Sequence, residues 1–505
     1  MLSKITRRFK EFISREFKKD PKFSFGIFLV ILFTIFFRFY NWADRIYVHS
    51  DHSLFAQAAR YAADHLLIPQ IGPFSQSSFF TGPWWLWVLE FVYLLPFGVL
   101  GPWIFMSLLS ILFVSLIFWV GREIGGKWLG LAAALLTAVS TAQIDNSFTV
   151  WNTGIDPFIS LLAIIFLIRV YKYKKTLDLF LLTLTISLGT TIHFQNSMLA
   201  PAVLVALFVS KPNLIKISSI LFGLIIPLLP FIYFDLRFHW FWLTSVIVYL
   251  AVDQYRFAVA NRWLTYAGNY WPETWASIVG GQKIVGYIII GILSTLTLLR
   301  LKLFKKYILF YLIAISFVLE VILFRYYHGQ KFYYFSNFTH PSVIILTAWV
   351  IGEVYKFKRT FGITLTLFIF ALTFNSSLKN LADREITLKE INFLKEEIYR
   401  ENPKDFYEIY GCSYTGALIS HPLALMIYSD GKEHPEGEKI GVCFQEDQSF
   451  SWITLEPSQV EEKGSPWLNH STKEVYRSMT EWWKANPPQS GGNLWKFLQE
   501  NVGKN

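Results

Sequence analysis

Long apolar runs separated by short basic clusters constrain this chain more than any other feature. "FGIFLVILFTIFF" opens one such run, and several approach the ~20 residues needed to cross a hydrocarbon core. In lipid every backbone polar group must bond internally, so such runs are read as helices. The composition agrees: 53% of the 505 residues are hydrophobic and 16% charged, with a mean hydropathy of +0.38. A soluble domain of this length is excluded. The net charge of +10 does not argue for nucleic acid, because the Lys and Arg fall where membrane topology places them.

The basic clusters act as a ruler. They are GREIGGK (Gly121–Lys127), RVYKYKK (Arg169–Lys175), KPNLIK (Lys211–Lys216), RLKLFKK (Arg300–Lys306) and KFKR (Lys356–Arg359), each between two apolar segments. With all of them cytoplasmic, the intervening loops face outward and are poorer in Lys and Arg. The segment Ser77–Pro102 is apolar enough to span, but spanning would move every later cluster outside. It also carries Glu90 and adjacent Trp residues that suit an interface. It is therefore read as lying at the outer interface, within a large first external loop, 42–102. This predicts about eleven spans, near 24–41, 103–120, 127–142, 155–171, 177–192, 196–210, 216–234, 283–299, 307–324, 339–355 and 360–376. The N-terminus is cytoplasmic on this reading and the C-terminus external. Residues 1–22, basic with Phe9, Phe12, Ile13 and Phe17 at helical spacing, read as an interfacial helix on an anionic leaflet. A cleaved signal peptide is the rival, and the length of the following apolar run favours an uncleaved anchor.

Residues 23–376 thus form the transmembrane domain, and 377–505 a small external α/β domain. Leu388, Ile391, Leu394 and Ile398 line one side of a helix, with Thr387 and Glu390 as a capping box at its start. FYEIYG, KIGVCF and FSWITL read as strands. Ser471 with Glu474 resembles a second capping box. Both cysteines, Cys412 and Cys443, fall in this tail. An external tail permits a disulfide; two buried thiols are the other reading.

Acidic, amide and imidazole residues gather in the outward loops. Asp51 and His52 follow the first span, then come Asp145, Asn152, Asp156, His193, Gln195, Arg256, Arg262, His328 and Lys331. A catalytic site at the outer interface explains this asymmetry. DHSLFAQAARYAADH reads as a helix with Leu54, Ala58, Tyr61 and Ala62 on one face and Asp51 in the first turn. There the helix dipole favours the carboxylate. Asp51 is either a plain N-cap or a general base at the membrane surface.

The stretch DRIYVHSDHSLFAQAARYAADH resembles the first external loop of the lipid-dependent glycosyltransferases of the GT-C class. It is nearest the family 39 group, which includes protein O-mannosyltransferases and aminoarabinose transferases. Asp51 matches that loop's Asp and Phe55 its aromatic, while His52 stands where the family usually has Glu. FTGPWWLWV resembles the later Pro-containing part of the loop, with Gly82-Pro83 for the commoner Pro-Pro. SFTVWNTGIDPF resembles the next external segment, through Trp151, Asn152 and Asp156. TTIHFQNSMLAP and KFYYFSNFTHPSVIIL resemble further family elements. The resemblance covers roughly residues 25–375 and leaves the tail unmatched. It implies a sugar on a polyprenyl phosphate as donor, and an acceptor glycan, lipid or protein hydroxyl. It also implies external transfer with inversion, catalysed by Asp51. His52, Asp145, Asn152, Asp156, His193, Gln195, Arg256, Arg262, His328 and Lys331 would bind substrate, the cations holding the phosphate. No cofactor and no metal are expected, since the first loop lacks an Asp-x-Asp pair. A transporter or flippase of a lipid-linked sugar is the alternative, with Glu320 its notable intramembrane residue.

Overall fold

The computed structural model describes residues 20–49, 51–73, 79–211, 213–252, 263–328, 331–382, 384, 386–444, 450–461, 465 and 467–485. Most of the basic N-terminal segment, together with Arg256 and Arg262, lies outside the described residues.

Each of the expected spans is a helix. The first, α1 (Pro21–Phe39), starts where Asp20 accepts the Phe23 N–H at 3.1 Å and Pro21 removes a donor that would otherwise be orphaned. The first-loop helix α2 (Asp51–Asp64) and the interfacial α3 (Trp84–Tyr93) follow. Then come α4 (Gly101–Gly125), α5 (Lys127–Ala138), α6 (Asp156–Tyr173), α7 (Thr176–Ile192) and α8 (Ala200–Ser210). The chain continues through α9 (Leu214–Arg237), α10 (Phe241–Ala251), α11 (Trp271–Ile278), α12 (Lys283–Leu299), α13 (Ile308–Arg325), α14 (His340–Phe357) and α15 (Arg359–Lys379).

The number of full crossings differs from the expectation. Among the described residues six helices are long and apolar enough to cross: α1, α4, α6 with its lead-in from Asn152, α9, α13 and α15. The stretch Trp263–Ile278, which ends in α11, and α12, bent by 102°, make a seventh if they count as one span. Helix α5 has 12 residues, about 18 Å at 1.5 Å per residue, well short of a ~30 Å core. The short helices stop where polar residues begin: α5 before Ser140, α7 before His193. Helix α14 is buried almost all round, from His340 to Glu353, and forms the centre of the bundle.

Among the described residues of the Ser77–Pro102 segment, the helix before α4 is too short to span: α3 has 10 residues, about 15 Å. The indoles of Trp84, Trp85 and Trp87 donate to the carbonyls of Pro227, Val150 and Pro69 at 2.8–3.0 Å. The side chains that suit an interface therefore pin this segment to two other loops and to α9.

Helix α15 runs to Lys379, so the composition change expected at 376 falls inside a helix end. Beyond it, α16 (Leu388–Glu401) begins with the expected capping box of Thr387 and Glu390. A four-stranded sheet follows, in the order β3-β2-β1-β4, from β1 (Tyr407–Cys412), β2 (Glu438–Phe444), β3 (Phe450–Thr454) and β4 (Trp467–Asn469). Strands β1 and β2 are parallel, joined through α17 (Ser413–Ser429), and both outer pairings are antiparallel. Cys412 and Cys443, on these neighbouring parallel strands, are joined as a disulfide. The last long helix is α18 (Thr472–Thr480). Ser471 precedes it without capping it, because its hydroxyl instead accepts the Ile409 N–H at 3.1 Å, tying α18 to β1.

This α/β unit packs on α2. The Gln57 amide donates to His470 O at 3.0 Å and to Thr472 Oγ1 at 3.3 Å, and its carbonyl bonds His421 Nδ1 at 2.9 Å. Gln57 is fully buried there. Replacing it by Leu strands two buried polar partners, His470 O and His421 Nδ1, at about 1–3 kcal/mol each where no water enters, while Thr472 keeps its bond to Glu433. Gln57→Leu is expected to lower the thermal midpoint of the full chain and to speed amide exchange in α18.

Candidate active site

Asp51 stands at the first residue of α2 and borders a cavity of about 400 Å³. The cavity also takes Leu54 and Phe55 from α2, Trp151, Asn152 and Thr153 from the lead-in to α6, and His193, Phe194 and Gln195 after α7. Tyr249, Tyr327, Tyr334 and Phe335 close another side, and Ser478 and Met479 of α18 complete the wall. Eight aromatic side chains, Phe79 among them, around a carboxylate, an imidazole and two amides suit the apolar faces and hydroxyls of a sugar.

The polar groups are held by specific bonds. Asp156, 1% exposed at the start of α6, places Oδ2 2.6 Å from His193 Nδ1 and accepts Asn196 Nδ2 on Oδ1 at 2.6 Å. A carboxylate on Nδ1 fixes the proton there, so a neutral His193 turns its Nε2 lone pair outward. Asn152 is anchored by donating to Ile192 O at 2.9 Å. Residues from α6 and from the turn after α7 are thus locked together at one edge of the cavity.

His52 faces away from Asp51. It is buried, its Nδ1 accepts the Val150 N–H at 3.2 Å, and its ring stacks on Tyr47 with centroids 5.3 Å apart. Burial, then the neighbouring His49 and Arg384, push its pKa well below the usual imidazole range, so it stays neutral. It joins the first loop to the second and does not line the cavity. Asp145 likewise stands off the cavity. It pairs with Arg384 Nη2 at 2.8 Å and accepts Asn380 Nδ2 at 2.8 Å, fastening the second loop to the chain after α15.

Lys331 sits beside the cavity's Tyr327. Its ammonium donates to Tyr327 O at 2.5 Å and lies 5.5 Å from that ring's centre. Burial, then the nearby Arg325, lower its pKa to about 8. His328 is pushed down too, by burial and by Lys331 and Arg325. Three basic side chains thus crowd together where α13 ends, and their mutual repulsion marks a place suited to an anion.

Of the expected site residues, Asp51, Asn152, His193 and Gln195 line one cavity, Asp156 stands directly behind His193, and His328 and Lys331 flank it. Arg256 and Arg262 lie outside the described residues. Among the described residues no three His, Cys, Asp or Glu side chains are grouped to hold a metal ion. Sequence reasoning missed Gln57, Arg384, Ser478 and Met479. The one signal was Gln57, a lone amide on the apolar side of α2.

No family model matches the sequence, and no curated protein does. Solved structures do match. The apo oligosaccharyltransferase of Archaeoglobus fulgidus aligns at TM-score 0.52 and 12% identity, over 80% of this chain and 64% of that one. The chain thus spans under two thirds of that enzyme's length. The same organism's oligosaccharyltransferase AglB, in complex with an inhibitory peptide and a dolichol-phosphate, aligns at 0.51 and 10% identity, over 92% and 78%. ArnT from Cupriavidus metallidurans, bound to undecaprenyl phosphate, aligns at 0.54 and 10% identity, over 82% and 92%. The fold is that of the GT-C membrane glycosyltransferases, a multi-span helical bundle carrying a small α/β unit.

Proposed function

We propose that this chain moves a sugar from a polyprenyl-phosphate donor to an acceptor hydroxyl, with inversion, on the membrane face opposite its basic clusters. The observation that carries this reading is the single cavity joining Asp51, His193 and aromatic walls, beside a basic cluster, in this fold. Two of the solved neighbours hold dolichol-phosphate and undecaprenyl phosphate. The phosphate is already a good leaving group, so the protein needs a base for the acceptor and positive charge for the departing oxygens. Asp51 takes the acceptor proton as the acceptor oxygen attacks the anomeric carbon and the bond from that carbon to the phosphate oxygen breaks. Asn152, Gln195 and the rings orient the sugar, while Lys331, Arg325 and His328 meet the phosphate. On this reading the α/β unit is external and its helix α18 borders the acceptor.

Purified protein in vesicles with radiolabelled polyprenyl-phosphate sugars tests the reading. Label should move into an acceptor glycan, lipid or protein. Passage across the bilayer without transfer would make the chain a flippase, and neither result would overturn both.

Lys331→Ala is expected to weaken transfer by about 2–4 kcal/mol, the usual loss for one electrostatic stabiliser of a transition state. In the unliganded protein Lys331 loses its proton near pH 8. Donor affinity should therefore fall as pH rises through about 8 in the wild type, and lose that dependence in the variant. Steady-state kinetics against donor concentration across pH checks both.

A further inference from the structure

Inside the helix bundle is a second polar place that the reaction above does not use. It is a small void of about 10 Å³, bordered by Ser160, Ser316, Glu320 and Ser342 among apolar neighbours. The polar groups come from three helices: Ser160 from α6, Ser316 and Glu320 from α13, Ser342 from α14. Ser160 is 1% exposed, Glu320 3% and Ser316 4%. The Oγ atoms of Ser160 and Ser316 and the Oε2 of Glu320 find no hydrogen-bond partner among the described residues.

Three orphaned polar atoms at one spot in a membrane bundle are costly, because no solvent reaches them there. A void of roughly 10–15 Å³ on this measure holds one water, and buried waters make about three hydrogen bonds. Apolar voids stay dry, but this one is rimmed by a carboxyl group and hydroxyls. Oxygen-seeking cations such as calcium take about six or more ligands, so three orphaned oxygens favour water over a cation.

We propose that Ser160, Ser316 and Glu320 form a built site for a single water, which bridges α6 to α13. Ser160 lies one helical turn along α6 from Asp156, and Glu320 stands in the part of α13 that leads to Arg325. The water therefore ties the helix that orients His193 to the helix that carries the basic cluster. Interhelical polar links of this kind hold membrane bundles where apolar packing alone gives no preference.

The full-length protein in lipid nanodiscs tests this by two routes. High-resolution cryo-electron microscopy should show one density peak within hydrogen-bonding distance of all three atoms. Those atoms bonded directly to one another, with no peak, would overturn the site. Thermal unfolding gives the second route. Glu320→Gln keeps a polar head and should unfold within a degree or two of wild type. The double variant Ser160→Ala/Ser316→Ala should unfold several degrees lower, and an unchanged midpoint would count against the water. A midpoint that rises in sodium chloride over choline chloride in the wild type but not in Glu320→Gln would replace the water with a cation and overturn the proposal.

Discussion

Asp51→Asn is expected to reduce turnover by about 10²–10⁴-fold, the range that a positioned general base contributes. Asn keeps the shape and is tolerated in a helix's first turn, so expression and thermal midpoint should stay near wild type. Asp51 owes its place to two independent attachments. Just after it, Ser53 reaches back to the Val48 carbonyl and His52 takes the Val150 N–H, so the start of α2 is fixed to the second loop. A turn further on, Gln57 binds the α/β unit. The carboxylate therefore enters the cavity from a helix held through its first two turns, as a base must be to meet a hydroxyl within hydrogen-bond reach. Initial rates with a polyprenyl-phosphate sugar, with circular dichroism of the variant, check the expectation. Wild-type turnover in Asp51→Asn would leave Asp51 as a helix cap and no more.

The parts of the fold that the sequence made legible are those governed by local pattern. Apolar runs and basic clusters placed the helices of the expected spans, because burial in lipid demands continuous apolar stretches; α10 and α11 fall between the spans expected near 216–234 and 283–299, where no helix was expected. Three strands of the tail were readable from Val, Ile and aromatic content, but β4 has only three residues, Trp467–Asn469, too few to show alternation. Helix length was less readable. Helix α5 ends at Ala138, four residues short of the expected 142, because Ser140 leaves the helix and accepts the Gln143 N–H to start the next turn, a need that hydropathy does not record. The site divides in the same way. Asp51 stood out through its position after a span, whereas the pairing of Asp156 with His193 joins two helices and has no local signature. Ser471 looked like a cap by spacing alone, yet tertiary contact with β1 claimed its hydroxyl. His52 looked like a ligand beside Asp51, but successive residues of a helix point in different directions, and the His52 side chain turned inward.

His193→Ala is expected to cut kcat by about 10²-fold or more, with a smaller change in the donor KM, if the imidazole acts on protons in the transition state. The geometry favours that role. Asp156 is buried, accepts both His193 and Asn196, and has no route to the substrate of its own. On the proposed reading its work is to hold the ring through Nδ1, the same division of labour that a buried carboxylate performs in a serine-hydrolase triad. If His193 only bonded a sugar hydroxyl, the loss would be nearer the ~0.5–1.5 kcal/mol of one neutral hydrogen bond and would fall on KM. Asp156→Asn separates orientation from contact. It keeps an oxygen near Nδ1 but lets the amide donate instead, which would flip the tautomer. Its loss should therefore fall on kcat, and His193→Ala/Asp156→Asn should be little worse than His193→Ala alone, because the two act as one unit. Additive losses in the double variant would mean that Asp156 serves the fold of the α6 start and not the imidazole.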